Sequence, residues 1–208
     1  MYLIITKSFP PEIGGMQNLM WGLANELSKN YMIKVFADHY EDHKSFDEKV
    51  SFSIERVGGI KLLRKYRKAQ LINESIKENK IGGLIADHWK SLELIKTNKK
   101  KICLIHGKEI NHEKGTNLNK RVLNVLNNVE IVVANSQYTK ELAIKCGVAK
   151  GRIIVINPGV DLVQDLDKKI TNKVEILLKH KSPRLITVSR FDKRKNHEKV
   201  IMALRNLK

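Results

Sequence analysis

Two cysteines in 208 residues, Cys103 and Cys146, are too few for a disulfide framework, and their spacing fits no metal site. Buried, reduced thiols and a cytoplasmic setting are the expectation. No apolar run approaches the ~20 residues that span a bilayer. The opening Met1-Tyr2-Leu3-Ile4-Ile5 lacks the basic flank and cleavage site of a signal peptide and reads as a first core strand. There is no internal repeat and no low-complexity segment. G-x-G-x-x-G and Walker A patterns are absent. Neither a Ser/His/Asp order nor an acidic dyad supports hydrolysis by the covalent or water-inverting routes.

What is present is a globular composition, 42% hydrophobic, with a formal net charge of +17. Lysine outnumbers arginine, and asparagine and isoleucine are abundant, so part of the basicity follows the coding bias of an AT-rich genome. The remainder favours anionic partners: phosphorylated ligands first, then an acidic membrane surface. Nucleic acid comes last, because no helix-turn-helix, zinc-finger or RNP-type pattern accompanies the charge. We expect no nucleic-acid partner.

Short Ile-, Val- and Leu-rich runs without polar alternation predict strands at Tyr2–Thr6, Ile33–Ala37, Ser51–Val57, Gly83–Asp87, Lys101–His106, Glu130–Ala134 and Arg152–Ile156. Between them, amphipathic periodicity predicts helices at Gln17–Ser28, Lys61–Glu78, Asn117–Leu126 and Ser136–Lys145, the last with Ser136 as N-cap and Gly147 as C-cap. Strands alternating with helices imply an α/β fold with a doubly wound parallel sheet, whose ligands sit at the carboxyl ends of the strands. The domain organisation expected is one Rossmann-like domain over residues 1–165, a charged linker over 166–182, and the start of a second, truncated domain over 183–208, where Leu185–Val188 reads as a strand before a helix near His197.

The loop after the first strand, Pro10-Pro11-Glu12-Ile13-Gly14-Gly15, carries two stiffening prolines and two glycines ahead of a helix. Free N–H groups at such a turn suit a phosphate or a sugar hydroxyl. His106 closes an apolar strand before Gly107, a position from which an imidazole can donate hydrogen bonds into a cleft. Glu109 stands ready either to bind a hydroxyl or simply to balance nearby basic charge. His88 is a weaker candidate of the same kind as His106. Arg190 and Lys195 follow the strand Leu185–Ser189; a guanidinium fork and a lysine point charge suit a leaving diphosphate, although Lys193 and Arg194 beside them also fit a basic surface loop.

Taken in order, Pro10–Gly15, His106-Gly107-Lys108-Glu109, Ala134-Asn135-Ser136, Asn157-Pro158-Gly159-Val160-Asp161 and Ser189-Arg190-Phe191 resemble the retaining glycosyltransferases of family GT4, which have the GT-B fold. The resemblance implies transfer of a sugar from a nucleotide-sugar donor to a hydroxyl of a glycan or lipid-linked acceptor. It implies His106 beside the donor sugar as a catalytic group, and Gly14, Gly15, Arg190 and Lys195 on the donor phosphates. Glu109, Asn135 and Ser136 would touch acceptor or sugar. Asn196 stands where glycine often follows that lysine. The family's E-x7-E region is absent, so the chain by itself is expected to be inactive. No cofactor or metal is expected; Asp165-Leu166-Asp167 matches a D-x-D pattern but lies in the lysine-rich linker.

Two further readings stay open. The basic run Lys61–Lys68 can dock peripherally on an anionic membrane at its inner face, or be a solvated face whose Leu62, Leu63 and Tyr66 turn to the core. The residues 183–208 are expected to dock onto the first domain or to pair with another copy to form a homo-oligomer. A rival from another class is a non-catalytic basic α/β module that binds anionic membranes or polymers.

Overall fold

The computed structural model of the chain describes residues 1–160, 166–179, 182–189 and 191–205. It divides into two compact units, Met1–Val160 and Asp161–Lys208. In the first, seven strands form one sheet: β1 (Tyr2–Ile5), β2 (Ile33–Asp38), β3 (Ser53–Val57), β4 (Gly83–Ala86), β5 (Lys101–Ile105), β6 (Ile131–Ala134) and β7 (Ile153–Val155). Every neighbouring pair is parallel, in the order β3-β2-β1-β4-β5-β6-β7. The chain winds outward from β1 in both directions, so the order reverses between β1 and β4. That reversal opens a crevice at the carboxyl ends of these strands.

Helices α1 (Gly15–Ser28), α2 (His43–Asp47), α3 (Lys61–Glu78), α4 (Trp89–Leu92), α5 (Asn117–Leu126) and α6 (Gln137–Cys146) connect the strands. Two apolar layers result. One holds Ile4, Phe9, Met20, Ala24, Val35 and Phe52. The larger packs Leu3, Ile5, Ile72, Trp89, Ile105 and Leu126, among others. Strands buried on both faces need no polar alternation, which is why unbroken apolar runs mark them. Ser136 accepts from the Thr139 amide at the start of α6, and Gly147 ends that helix in the left-handed region at φ 108°. Among the described residues no helix is long and apolar enough to cross a membrane.

The second unit holds helices α7 (Lys168–Leu178) and α8 (His197–Leu204). Helix α7 stands where the charged segment suggests a linker. Asp167 caps it by accepting from the Lys169 amide at 2.8 Å, and Ile170, Val174 and Leu177 recur at helical spacing between the charges that obscured them. Leu185–Val188 is not a strand: residues 184–189 are exposed and pair with no strand among the described residues. A strand exists only through a hydrogen-bonded neighbour, which an apolar run does not supply by itself.

Candidate functional site

A cleft of about 700 Å³ opens at the carboxyl edge of the sheet. Its floor is made by the residues that follow β1, β4 and β5: Lys7 and Ser8, Asp87 and His88, and His106. One wall is the N-terminal half of α3, since a crossover helix runs antiparallel to its strands and begins at their carboxyl edge. A smaller cavity of about 250 Å³ lies at the opposite edge among Lys99, Lys101, Glu130 and Arg152, where parallel sheets do not place ligands.

The carboxylates of the cleft are tied to protein partners. Asp87, buried, accepts from Thr6 Oγ1 at 2.7 Å, the Lys7 amide at 3.0 Å and Ser91 Oγ at 2.9 Å. It fastens the loop after β1 to the start of α4. Asp38 pairs with Lys68 Nζ and with Arg64 Nη1 at 3.2 Å. Lys68 also donates to the Thr6 carbonyl at 2.7 Å. Burial lowers the pKa of Lys68, and Asp38 works against that shift. Glu93 receives both arms of the Arg121 guanidinium, at 2.6 and 2.9 Å, and these hydrogen bonds lower its pKa.

His106 and Glu109 both line this cleft. Glu109 Oε1 folds back to accept from the amides of His106 and, at 3.3 Å, Gly107, so it holds the turn that carries the histidine. Gly107 takes φ 112°, which a side chain would strain. His106 Nε2 is buried and has no hydrogen-bond partner in the protein. His106 as a residue is half-buried and lines the cleft, so the part of it that meets a ligand there is other than this enclosed nitrogen. His88, on the same floor, accepts from the Lys90 amide at 2.9 Å as the N-cap of α4, and burial lowers its pKa.

The glycine loop enters α1 from the cleft side: Met16 lines the cavity, and Gly14 is the N-cap residue, with an extended backbone at φ 168°. A Cβ on Gly14 would come within 2.3 Å of Gln17 Oε1, the far end of a flexible side chain, while one on Gly15 meets nothing within 4 Å. The loop is clamped from below by Arg56 on β3, which donates to the Pro10 carbonyl, binds Asp47 at 2.6 and 3.1 Å and lies over the Phe9 ring. Asp47 is also 2.9 Å from His43 Nδ1.

Asn135 and Ser136 do not line the cleft. Ser136 Oγ caps α6, Asn135 Oδ1 accepts from Thr139 Oγ1 at 2.7 Å, and Asn157 Nδ2 reaches the Asn135 carbonyl at 3.3 Å. Lys195 ends a short 3-10 turn of the second unit, its amide donating to the Asp192 carbonyl at 2.8 Å. Arg190 and Asp165 lie outside the described residues. The sequence reading did not find Arg56, Asp38, Lys68 or Asp87. Asp87 carried a signal, a carboxylate closing an apolar strand as His106 does. The partners of Arg56 and Lys68 are distant in sequence, and nothing local announces them.

The family described as Glycosyltransferase Family 4 matches residues 13–164. No curated protein sequence matches the chain. Among solved structures, sucrose-phosphate synthase from Thermosynechococcus elongatus is similar with a TM-score of 0.68 at 15% identity, over 98% of this chain and 58% of its own. HepE of Anabaena, in complex with UDP and glucose, gives 0.65 at 16%, over 86% of this chain and 50% of its own. The lipopolysaccharide outer core galactosyltransferase WaaB gives 0.56 at 13%, over 79% and 47%. The chain thus spans about half the length of these proteins, which share its fold.

Proposed function

The chain belongs to glycosyltransferase family 4, and from that premise we propose that the protein transfers a sugar from a nucleotide-sugar donor to a hydroxyl of a glycan or lipid-linked acceptor, with retention of configuration. The observation that carries the reading is the place of His106 on the floor of the cleft at the sheet's point of reversal. An imidazole there can hydrogen-bond a sugar hydroxyl or the oxygen on which charge develops as the glycosidic bond breaks. Glu109 orients it by fixing the turn. In this reading Gly14 and Gly15 offer backbone amides to the donor's phosphates, and the family resemblance gives Arg190 and Lys195 a phosphate-binding role of their own. HepE was solved with UDP-glucose, which supports a nucleotide-sugar donor.

The 208-residue chain is inactive by itself in this reading. The test is nucleoside diphosphate release from a panel of nucleotide sugars and hydroxyl acceptors, by the chain and by the reading frame extended past Lys208. Release by the extended protein alone, with the anomeric configuration kept, is the expected result. Silence from the extended protein rejects transfer, an inverted product rejects retention, and turnover by the short chain rejects its inactivity.

A peripheral contact with an anionic membrane belongs to the same reading. Ile60, Leu62, Leu63 and Tyr66 are 71%, 80%, 58% and 54% exposed, so the apolar residues of the basic run face solvent and not the core. Lys61, Lys65 and Arg67 are interleaved with them. Co-sedimentation with phosphatidylglycerol vesicles, lost in Leu62→Ser/Leu63→Ser, is the expected behaviour; equal sedimentation of the variant removes the contact.

A further inference from the structure

The cleft contains more positive charge than its own carboxylates neutralise, and the surplus is local. Asp38 is taken by Lys68 and Arg64, and Glu93 by Arg121. Asp87 and Glu109 accept from hydroxyls and backbone amides, neutral donors that leave their two negative charges in the cleft, fewer than the ammonium groups around them. Four ammonium groups remain around the opening: Lys7 after β1, Lys61 and Lys65 on the first turns of α3, and Lys90 at the start of α4. None of the four has a carboxylate within ion-pair distance among the described residues. Lys65 and Lys90 lie over the rings of Tyr66 and Trp89, at 4.8 and 5.3 Å, and both act on the Glu93 carboxylate from beyond ion-pair distance, a carboxylate already held by Arg121. The four come from three separate elements yet line one cavity, whose remaining lining includes Met16, Leu62, Ala69 and Ile72. Like charges gathered at one mouth repel one another, and an anion removes that cost.

We propose that this half of the protein binds the acceptor through a phosphate group on it, held between Lys7, Lys61, Lys65 and Lys90, with the acceptor hydroxyl directed toward His106. The proposal rests on the transferase reading and narrows its acceptor to a phosphate-bearing class. The phosphate can belong to a soluble sugar phosphate or to a lipid headgroup. Ammonium groups act as point charges here and accept either source.

The test measures binding and not transfer, on the 208-residue chain. The probes are glucose 6-phosphate, glucose, and phosphatidylcholine vesicles with or without phosphatidic acid. The triple variant Lys61→Gln/Lys65→Gln/Lys90→Gln is compared with a charge-matched control, Lys140→Gln/Lys145→Gln/Lys150→Gln, placed off the cleft. Binding of glucose 6-phosphate but not glucose, weakened at least about tenfold in the cleft variant and unchanged in the control, supports the site with a soluble source. The same pattern confined to phosphatidic acid vesicles, with binding kept by Leu62→Ser/Leu63→Ser, supports it with a headgroup source, whereas equal loss in that variant assigns the vesicles to the general membrane contact and overturns the site. Equal weakening in both variants assigns the binding to net charge and overturns the proposal, as does failure of every phosphate probe to bind. A chain that binds phosphate in this cleft while the extended protein transfers no sugar would sink the transferase reading and leave the phosphate site standing.

Discussion

The indole N–H of Trp89 donates to the backbone carbonyl of Glu109 across 2.9 Å, joining the helix after β4 to the turn after β5. Trp89 is fully buried, so the bond is shielded from water and fixes the turn whose other end presents His106. Trp89→Phe keeps an aromatic ring but withdraws the donor and part of the packing. We expect a loss of about 1–3 kcal/mol in urea unfolding. Trp89→Ala should cost about 3–5 kcal/mol. An unchanged midpoint for Trp89→Phe would show that the turn is held elsewhere.

Acid should weaken the protein through His88. Its pKa is lowered from 6.5, first by burial, so the unfolded chain takes up the proton before the folded one does. Stability contributed by this group is constant above the unfolded value and falls as pH drops below it. Protonation also removes the Nδ1 lone pair that accepts from the Lys90 amide. His88→Asn keeps an N-cap acceptor without a titrating ring. Unfolding midpoints at pH 7.5, 6.5 and 5.5 should therefore fall less steeply in the variant, and parallel slopes would exclude His88 as the cause.

Arg56 has a side chain only 4% exposed and is shared between Asp47 and the Pro10 carbonyl. Arg56→Met leaves the mostly buried Asp47 carboxylate with His43 in place of a guanidinium fork and releases the glycine loop. The expected cost is about 3–5 kcal/mol by thermal or urea unfolding. Arg56→Lys keeps the charge but not the fork and should recover only part of it. Full recovery by lysine would mean that charge alone is needed.

The two glycines of the loop should separate from those the fold requires. Gly14 is extended at φ 168° and Gly15 begins a helix, so neither needs the left-handed region that Gly107 occupies at 112°. Gly107→Ala should lose about 1–2 kcal/mol. Gly14→Ala and Gly15→Ala should shift stability by no more than about 1 kcal/mol while lowering sugar transfer by the extended protein. Variants of these two that transfer normally would remove the phosphate role given to the loop.

Both thiols should resist modification in the folded state. Cys103 is fully buried, and desolvation raises its pKa well above the usual thiol value; Cys146 is 5% exposed with its Sγ directed at the Ile110 carbonyl. Ellman's reagent at pH 8 should find no fast-reacting thiol until denaturant is added. One fast equivalent would place one of them at the surface.

The sheet was legible because each strand is buried on both faces and so advertises itself as an apolar run; all seven fall within a residue or two of their expected bounds. Helices α3 and α5 match their expected bounds because their apolar stripes are regular. The short helices α2 and α4 were not legible, since four or five residues carry no period. Helix α7 was hidden by its charges. Of the site, His106 and Glu109 could be read from their place after a strand. Glu109's role could not, because its partners are backbone amides that only the turn geometry defines. Ser136 was legible as the N-cap of α6, the role its hydroxyl fills, whereas nothing local announced that the Asn135 side chain accepts from Thr139.

The central strand has a consequence for how the molecule is made. β1 precedes the other six strands of its sheet, yet one of its two neighbours is β4, and the Thr6–Asp87 bond that seals their junction joins positions 81 apart in the sequence. Loops of that length close slowly, and parallel pairing of this kind lowers the folding rate. On the ribosome β1, β2 and β3 emerge first, and they wait as a half-sheet with one long edge of β1 unpaired until β4 arrives. The cleft is therefore completed on its β4 and β5 side, from parts that lie 81 residues and more beyond Thr6.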